Sequence, residues 1–197
     1  DFMADGLKMS VSYSTDDGSA KTVTAKLDSS WGVGATYVTD AGDTTVTIGG
    51  GYIQSSGSHT GALNDVANSV AVSASAVTGD LTVGVGFSTG DGLAQEGNDS
   101  VHEIDDVEVM NVGAKYVSGD MTFAVSWKDG SSASGDLGTA APSSQDSQEV
   151  VAASVDYAVA SGVTATLGYS NEDEKVANTA VASNSGSAIY LGAKISF

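Results

Sequence analysis

Apolar residues in this chain recur at every second position. Leu7, Met9, Val11 and Tyr13 alternate with Lys8, Ser10, Ser12 and Ser14. Leu81, Val83, Val85 and Phe87 alternate with Thr82, Gly84, Gly86 and Ser88, and Met121, Phe123, Val125 and Trp127 with Thr122, Ala124, Ser126 and Lys128. A period of two places one set on each face of a β-strand. No stretch keeps a 3.6-residue stripe, so no helix is predicted. The pattern predicts ten strands, at about 6–14, 22–38, 44–53, 67–77, 81–88, 107–117, 121–128, 148–157, 163–170 and 188–197. The second is read as one long strand because its apolar parity runs from Val23 to Tyr37, broken only at Ser29.

The chain also repeats itself. Trp31–Tyr52, Ser69–Phe87, Val109–Trp127 and Val150–Tyr169 each read as strand, tight Gly-containing turn, strand. Between these units lie longer polar stretches: Thr15–Ala20, Gln54–Val66, Thr89–Asp106, Asp129–Ser147 and Asn171–Ser187. Their Gly, Ser, Asn and Asp content predicts loops. Short turns on one side and long loops on the other are the sidedness of a transmembrane barrel.

Aromatic residues strengthen that expectation. Tyr13, Tyr52, Phe87, Trp127 and Tyr169 each fall six residues beyond the first apolar residue after a turn, and Tyr37, Tyr116 and Tyr157 fall just before turns. Two aromatic levels on the apolar face bracket a lipid band. The opposite face is Ser, Thr, Gly and occasional Lys, which a β-sandwich could not bury and a water-filled lumen can. A calcium-binding β-solenoid would need a nonapeptide repeat, and Gly49-Gly50-Gly51 stands alone. The fold class expected is therefore all-β, a transmembrane antiparallel up-and-down β-barrel, with residues 1–197 forming part of one barrel domain.

Composition narrows the partners. The 197 residues hold 25 Asp and Glu against seven Lys and no Arg, a formal net charge of −18. Such a surface repels phosphate backbones, so nucleic acid is excluded. Without Cys there is no disulfide, thiolate metal site or thiol nucleophile.

The closing strand AIYLGAKISF resembles the terminal strand by which the barrel-assembly machinery recognises outer-membrane proteins, with Ile189, Leu191, Ala193, Ile195 and Phe197 as its apolar face. With the Gly-Asp hairpins and acidic loops, the whole chain resembles general bacterial porins of the alphaproteobacterial, Rhodobacter type. That resemblance implies a homotrimeric passive diffusion channel in the Gram-negative outer membrane, in contact with lipid and lipopolysaccharide. Such porins have about sixteen strands, and these ten match the last ten. The opening DFMADGL reads as the tail of a hairpin, so the chain is expected to be the carboxyl-terminal two-thirds of a porin. The resemblance puts the constriction loop in the absent part. The alternative is a narrow ten-stranded barrel serving as scaffold for an adhesin, receptor or loop-based enzyme.

Charged residues complete the expectations. Lys8, Lys26, Lys115, Lys128 and Lys194 share the polar parity, as do Asp28 and Asp156. A Lys on the lipid face near midplane costs about 2–4 kcal/mol, so these residues are expected to line the pore. By resemblance they set up a transverse field. Asp91, Glu96, Asp99, Glu103, Asp105 and Asp106 crowd one predicted external loop, giving an acidic vestibule and weak cation preference. None of these loops has EF-hand spacing, so weak calcium binding is the most they should support and no cofactor is expected. His59 and His102 fall in separate predicted loops, and no hydrolase or phosphate-loop motif occurs. An enzyme is not expected.

Overall fold

A computed structural model describes residues 5–15, 25–59, 64–91, 95–96, 101–136, 144–175 and 183–195. Side chains are described for these residues except 25–28, 57–59, 64–66, 95–96, 101–105, 134–136 and 144–145. The described residues form β1 (Leu7–Thr15), β2 (Ala25–Ala41), β3 (Thr44–His59), β4 (Asn64–Thr78), β5 (Leu81–Asp91), β6 (Gln95–Glu96), β7 (Val101–Ser118), β8 (Met121–Asp136), β9 (Ser144–Ala160), β10 (Val163–Lys175) and β11 (Asn184–Ile195). The ten long strands pair in chain order in one antiparallel sheet, with β6 hanging on β7 alone. β1 and β11 end the sheet and do not pair with each other.

The turns follow from glycine. Gly42, Gly79 and Gly119 have φ of 66°, 55° and 58° and are each followed by an Asp. A positive φ confined to the first central residue is the type II′ turn, whose twist matches paired strands. Backbone bonds then carry the ladder between hairpins: Val117 N–H donates to the Asp80 carbonyl (3.0 Å) and Ala158 N–H to that of Asp120 (2.8 Å).

Register sets the lean of the strands. Tyr37 pairs with Leu7 and with Ile48, four residues past Thr44. Tyr116 pairs with Leu81 and with Phe123, two past Met121; Tyr157 pairs with Met121 and with Ala165, two past Val163. Thr78 faces both Thr44 and Leu81 and adds nothing. With the turns on one rim, the register climbs eight residues over the eight steps from β1 to β10. At ~3.3 Å per residue and ~4.8 Å per step that is a lean of ~35°, within the range of membrane barrels.

The strands outrun their apolar alternation at the loop side. β3 extends to His59, β8 to Asp136 and β10 to Lys175, through sequence that composition assigns to loops. Backbone pairing needs no apolar side chains, so the ladder continues where the hydrophobic pattern stops. His59 and His102 accordingly lie on β3 and β7, not in loops.

Candidate functional site: the two faces of the sheet

The sheet's functional surfaces are its faces. Cross-strand rows place Leu81, Tyr116, Phe123, Val155, Leu167 and Leu191 side by side, and one row up Val83, Ala114, Val125, Ala153, Tyr169 and Ile189. On β5 the apolar side chains Leu81, Val83, Val85 and Phe87 are 40–43% exposed. Thr82, Gly84 and Ser88 opposite them are half-buried and Gly86 is buried. Side chains crowd on the inside of a curved sheet and splay on its outside, so the polar face is concave. On the convex face a shallow apolar groove of about 670 Å³ runs between Val83, Val85, Val112, Val125 and Trp127, floored by alanines such as Ala114.

The apolar face has a definite height. From Met121 on β8 the first outward charge is Asp129, eight residues on. At ~3.3 Å per residue and a ~35° lean those residues rise ~22 Å, close to the ~25 Å band of outer-membrane barrels. Trp127 sits below that limit and donates its indole N–H to Glu149 at 2.9 Å, the wet end of an interfacial aromatic. Trp31 and Tyr52 pack at 5.3 Å between ring centroids.

The concave face carries most of the charged candidates. One row reads Lys8, Thr36, Gly49, Ser73, Gly86, Asn111, Lys128, Val150 and Glu172. Between Lys8 and Asn111 this row floors a hollow of about 460 Å³ with glycines and hydroxyls. Lys115 lies between Thr82 and Ala124, Asp156 between Thr122 and Thr166, and Lys194 beside Thr164. Thr166 donates to Asp156 at 2.5 Å. Ile53, Val77, Val109 and Val150 share this face through their pairings, so it is mixed rather than wholly polar.

Some candidates stand elsewhere. The register shifts between Leu27 and Ser29, so the backbone of Lys26 pairs with that of Ser58 while Asp28 has no Cα partner among the described residues. A bulge of this kind breaks the alternation, and the parity that put Lys26 and Asp28 with the inner set does not run through it. Asp91 ends β5, Glu96 lies on β6, and Glu103 and Asp105 lie on β7. Asp106, with φ 50°, occupies the irregularity between Asp105 and Glu108. These acids are on strand extensions rather than in one loop; Asp99 is outside the described residues. Ile189, Leu191, Ala193 and Ile195 form the outward face of β11, and Phe197 is outside the described residues.

Sequence reasoning missed an inner-face group above Lys128. Lys128 Nζ donates to Gln148 Oε1 at 3.5 Å, and Gln148 Nε2 donates to Glu172 Oε1. Asp146, Gln148 and Glu174 line a polar pocket of about 340 Å³ with Lys128. The even parity of Thr164 and Thr166, continued past Tyr169, would have placed Glu172 and Glu174 there.

This architecture, one antiparallel meander with an apolar convex face and a polar concave one, is that of an outer-membrane β-barrel. A sequence profile described as Gram-negative porin matches residues 1–194, and the chain belongs to that family. No curated protein sequence matches it. Among solved structures, the outer membrane channel DcaP of Acinetobacter baumannii aligns with TM-score 0.70 at 15% identity, covering 99% of this chain and 60% of that one. The outer-membrane expressed OmpT of Vibrio cholerae aligns with TM-score 0.61 at 17% identity, covering 98% and 62%. Its in-vitro folded trimer form aligns with TM-score 0.51 at 14% identity, covering 95% and 64%. The chain thus spans less than two thirds of the length of these structures. Family and fold place the protein in the outer membrane.

Proposed function

We propose that the complete protein is a passive diffusion channel for small hydrophilic solutes and ions, without enzymatic activity and without a required cofactor. The observation that carries this reading is the concave face, where hydroxyls, glycines and lysines line a curved wall whose other side is apolar. Barrel size follows from the lean. Ten strands closed on themselves would leave a backbone radius of ~9 Å, largely filled by side chains, whereas about sixteen leave ~15 Å and an aqueous lumen. The unpaired edges β1 and β11 favour the larger barrel, completed by further strands, over a narrow scaffold for an adhesin, receptor or loop-based enzyme. Lys8, Lys115, Lys128, Asp156 and Lys194 then face the pore.

The acidic strand ends support a weak cation preference and, at most, loose calcium binding. The Gly-Asp hairpins and terminal strand support kinship with the alphaproteobacterial porins, a homotrimer in contact with lipid and lipopolysaccharide, and insertion by the barrel-assembly machinery. The test is conductance of the full-length protein in a planar bilayer. Stepwise, solute-permeable openings are expected. Folded, inserted protein without conductance would reject the channel.

A further inference from the structure

We propose that the pocket around Gln148 is a subsite for small zwitterionic solutes of the amino-acid class, with the carboxylate on Lys128 and the ammonium on Glu172 and Glu174. The inference rests on the channel reading and adds a ligand class to it. Lys128, Gln148, Glu172 and Glu174 lie on three adjacent strands: Lys128 and Glu172 flank Val150 in one row, and Gly130, Gln148 and Glu174 form the next. All four project from the concave face, at the outer end of the wall.

The hydrogen bonds already describe the ligand. The Gln148 amide presents its oxygen to the Lys128 ammonium and its nitrogen to the Glu172 carboxylate. An acceptor on the cation and a donor on the anion is a neutral copy of a solute carrying a carboxylate at one end and an ammonium at the other. The amide also keeps the two charges apart. The bond from Lys128 to Gln148 is long at 3.5 Å, and Lys128 and Glu172 are exposed. A charged solute group offers each a stronger bond than a neutral amide does.

Size and shape agree. Two strand steps and two residues along the strand separate the Cα atoms of Lys128 and Glu174 by ~12 Å. The charged heads stand closer: the Lys128 ammonium and the Glu172 carboxylate bond to the two ends of one amide, so they are at most ~8 Å apart, and two charge-assisted bonds of ~2.8 Å leave under ~3 Å between the solute's own charges, the separation within an α-amino acid. The pocket's ~340 Å³ admits such a molecule, and Val107 and Val109 beside it offer apolar wall to a small aliphatic side chain. A simple anion would meet Asp146, Glu172 and Glu174, and a simple cation would meet Lys128. Each should bind less well than the molecule carrying both charges.

The experiment uses the full-length protein in detergent micelles, with alanine as probe and propionate and ethylammonium as controls that each lack one of its charges. Binding is read by ligand-observed NMR and, separately, by reduction of single-channel current in a bilayer. The expected result is at least tenfold tighter binding of alanine than of either control, lost in Lys128→Met and in Glu172→Gln/Glu174→Gln and retained in Lys128→Arg. Equal binding of the three probes, or discrimination surviving both variants, overturns the subsite. The two readouts separate the hypotheses. Normal conductance without discrimination rejects the subsite and keeps the channel, while discrimination in micelles without conductance keeps the subsite and rejects the channel.

Discussion

Val125 and Ser126 are adjacent in sequence and on opposite faces of β8, and placing a lysine at each tests the assignment of faces directly. Val125 stands four residues beyond Met121, ~11 Å above the turn rim by the same rise that gives the ~22 Å apolar band, and so at its middle. It is 56% exposed on the convex face, between Ala114 and Ala153. A lysine at the hydrocarbon midplane of a barrel costs about 2–4 kcal/mol, and loss of the valine methyls adds about 1 kcal/mol. Val125→Lys should therefore destabilise the barrel by about 3–5 kcal/mol. Ser126 lies between Gly113 and Ala152 on the concave face and is exposed there. A lysine at 126 can reach water, and its cost should stay within about 0.5 kcal/mol. The assay is reversible unfolding of the full-length protein in lipid vesicles by urea, comparing midpoints at constant slope. Equal losses, or a larger loss for Ser126→Lys, would invert the faces, because a one-residue slip moves every side chain to the other side.

Three further outcomes are expected. Tyr190 lies on the concave face with its ring over Gly168, so that a methyl at 168 would run into the ring; Gly168→Ala should cost about 1–3 kcal/mol by overpacking, and Tyr190→Ser should recover most of it in a double-mutant cycle. Neutralising Asp99, Glu103, Asp105 and Asp106 together should reduce cation preference, measured as zero-current potential across a KCl gradient, with the largest change in dilute salt because these charges act through screened water. Deleting Phe197 should lower the yield of inserted protein in cells while leaving the unfolding free energy of already folded barrels within about 2 kcal/mol of the parent, the scale of one buried ring.

The sequence alone determined the faces and the rim. Alternation at Leu81–Ser88 and Met121–Lys128 has one solution once an apolar and a polar face must be separated, and a Gly-Asp pair between two such runs fixes a turn locally. These signals lie within a few residues of one another, so no distant partner is needed to read them. The ends of the strands were a different matter. Beyond Tyr169 or Trp127 the apolar pattern ceases, and only the neighbouring strand's hydrogen-bond ladder holds β8 and β10 extended to Asp136 and Lys175. The break between Leu27 and Ser29 showed in the sequence only as a lapse of apolar parity at Ser29; that it is a bulge is defined by what stands across from it. Register, a tertiary quantity, brought Lys128, Gln148 and Glu172 together across gaps of 20 and 24 residues, and set Tyr190 over Gly168. Period-two patterning says which side a residue faces; only the pairing of strands says which residues it faces there.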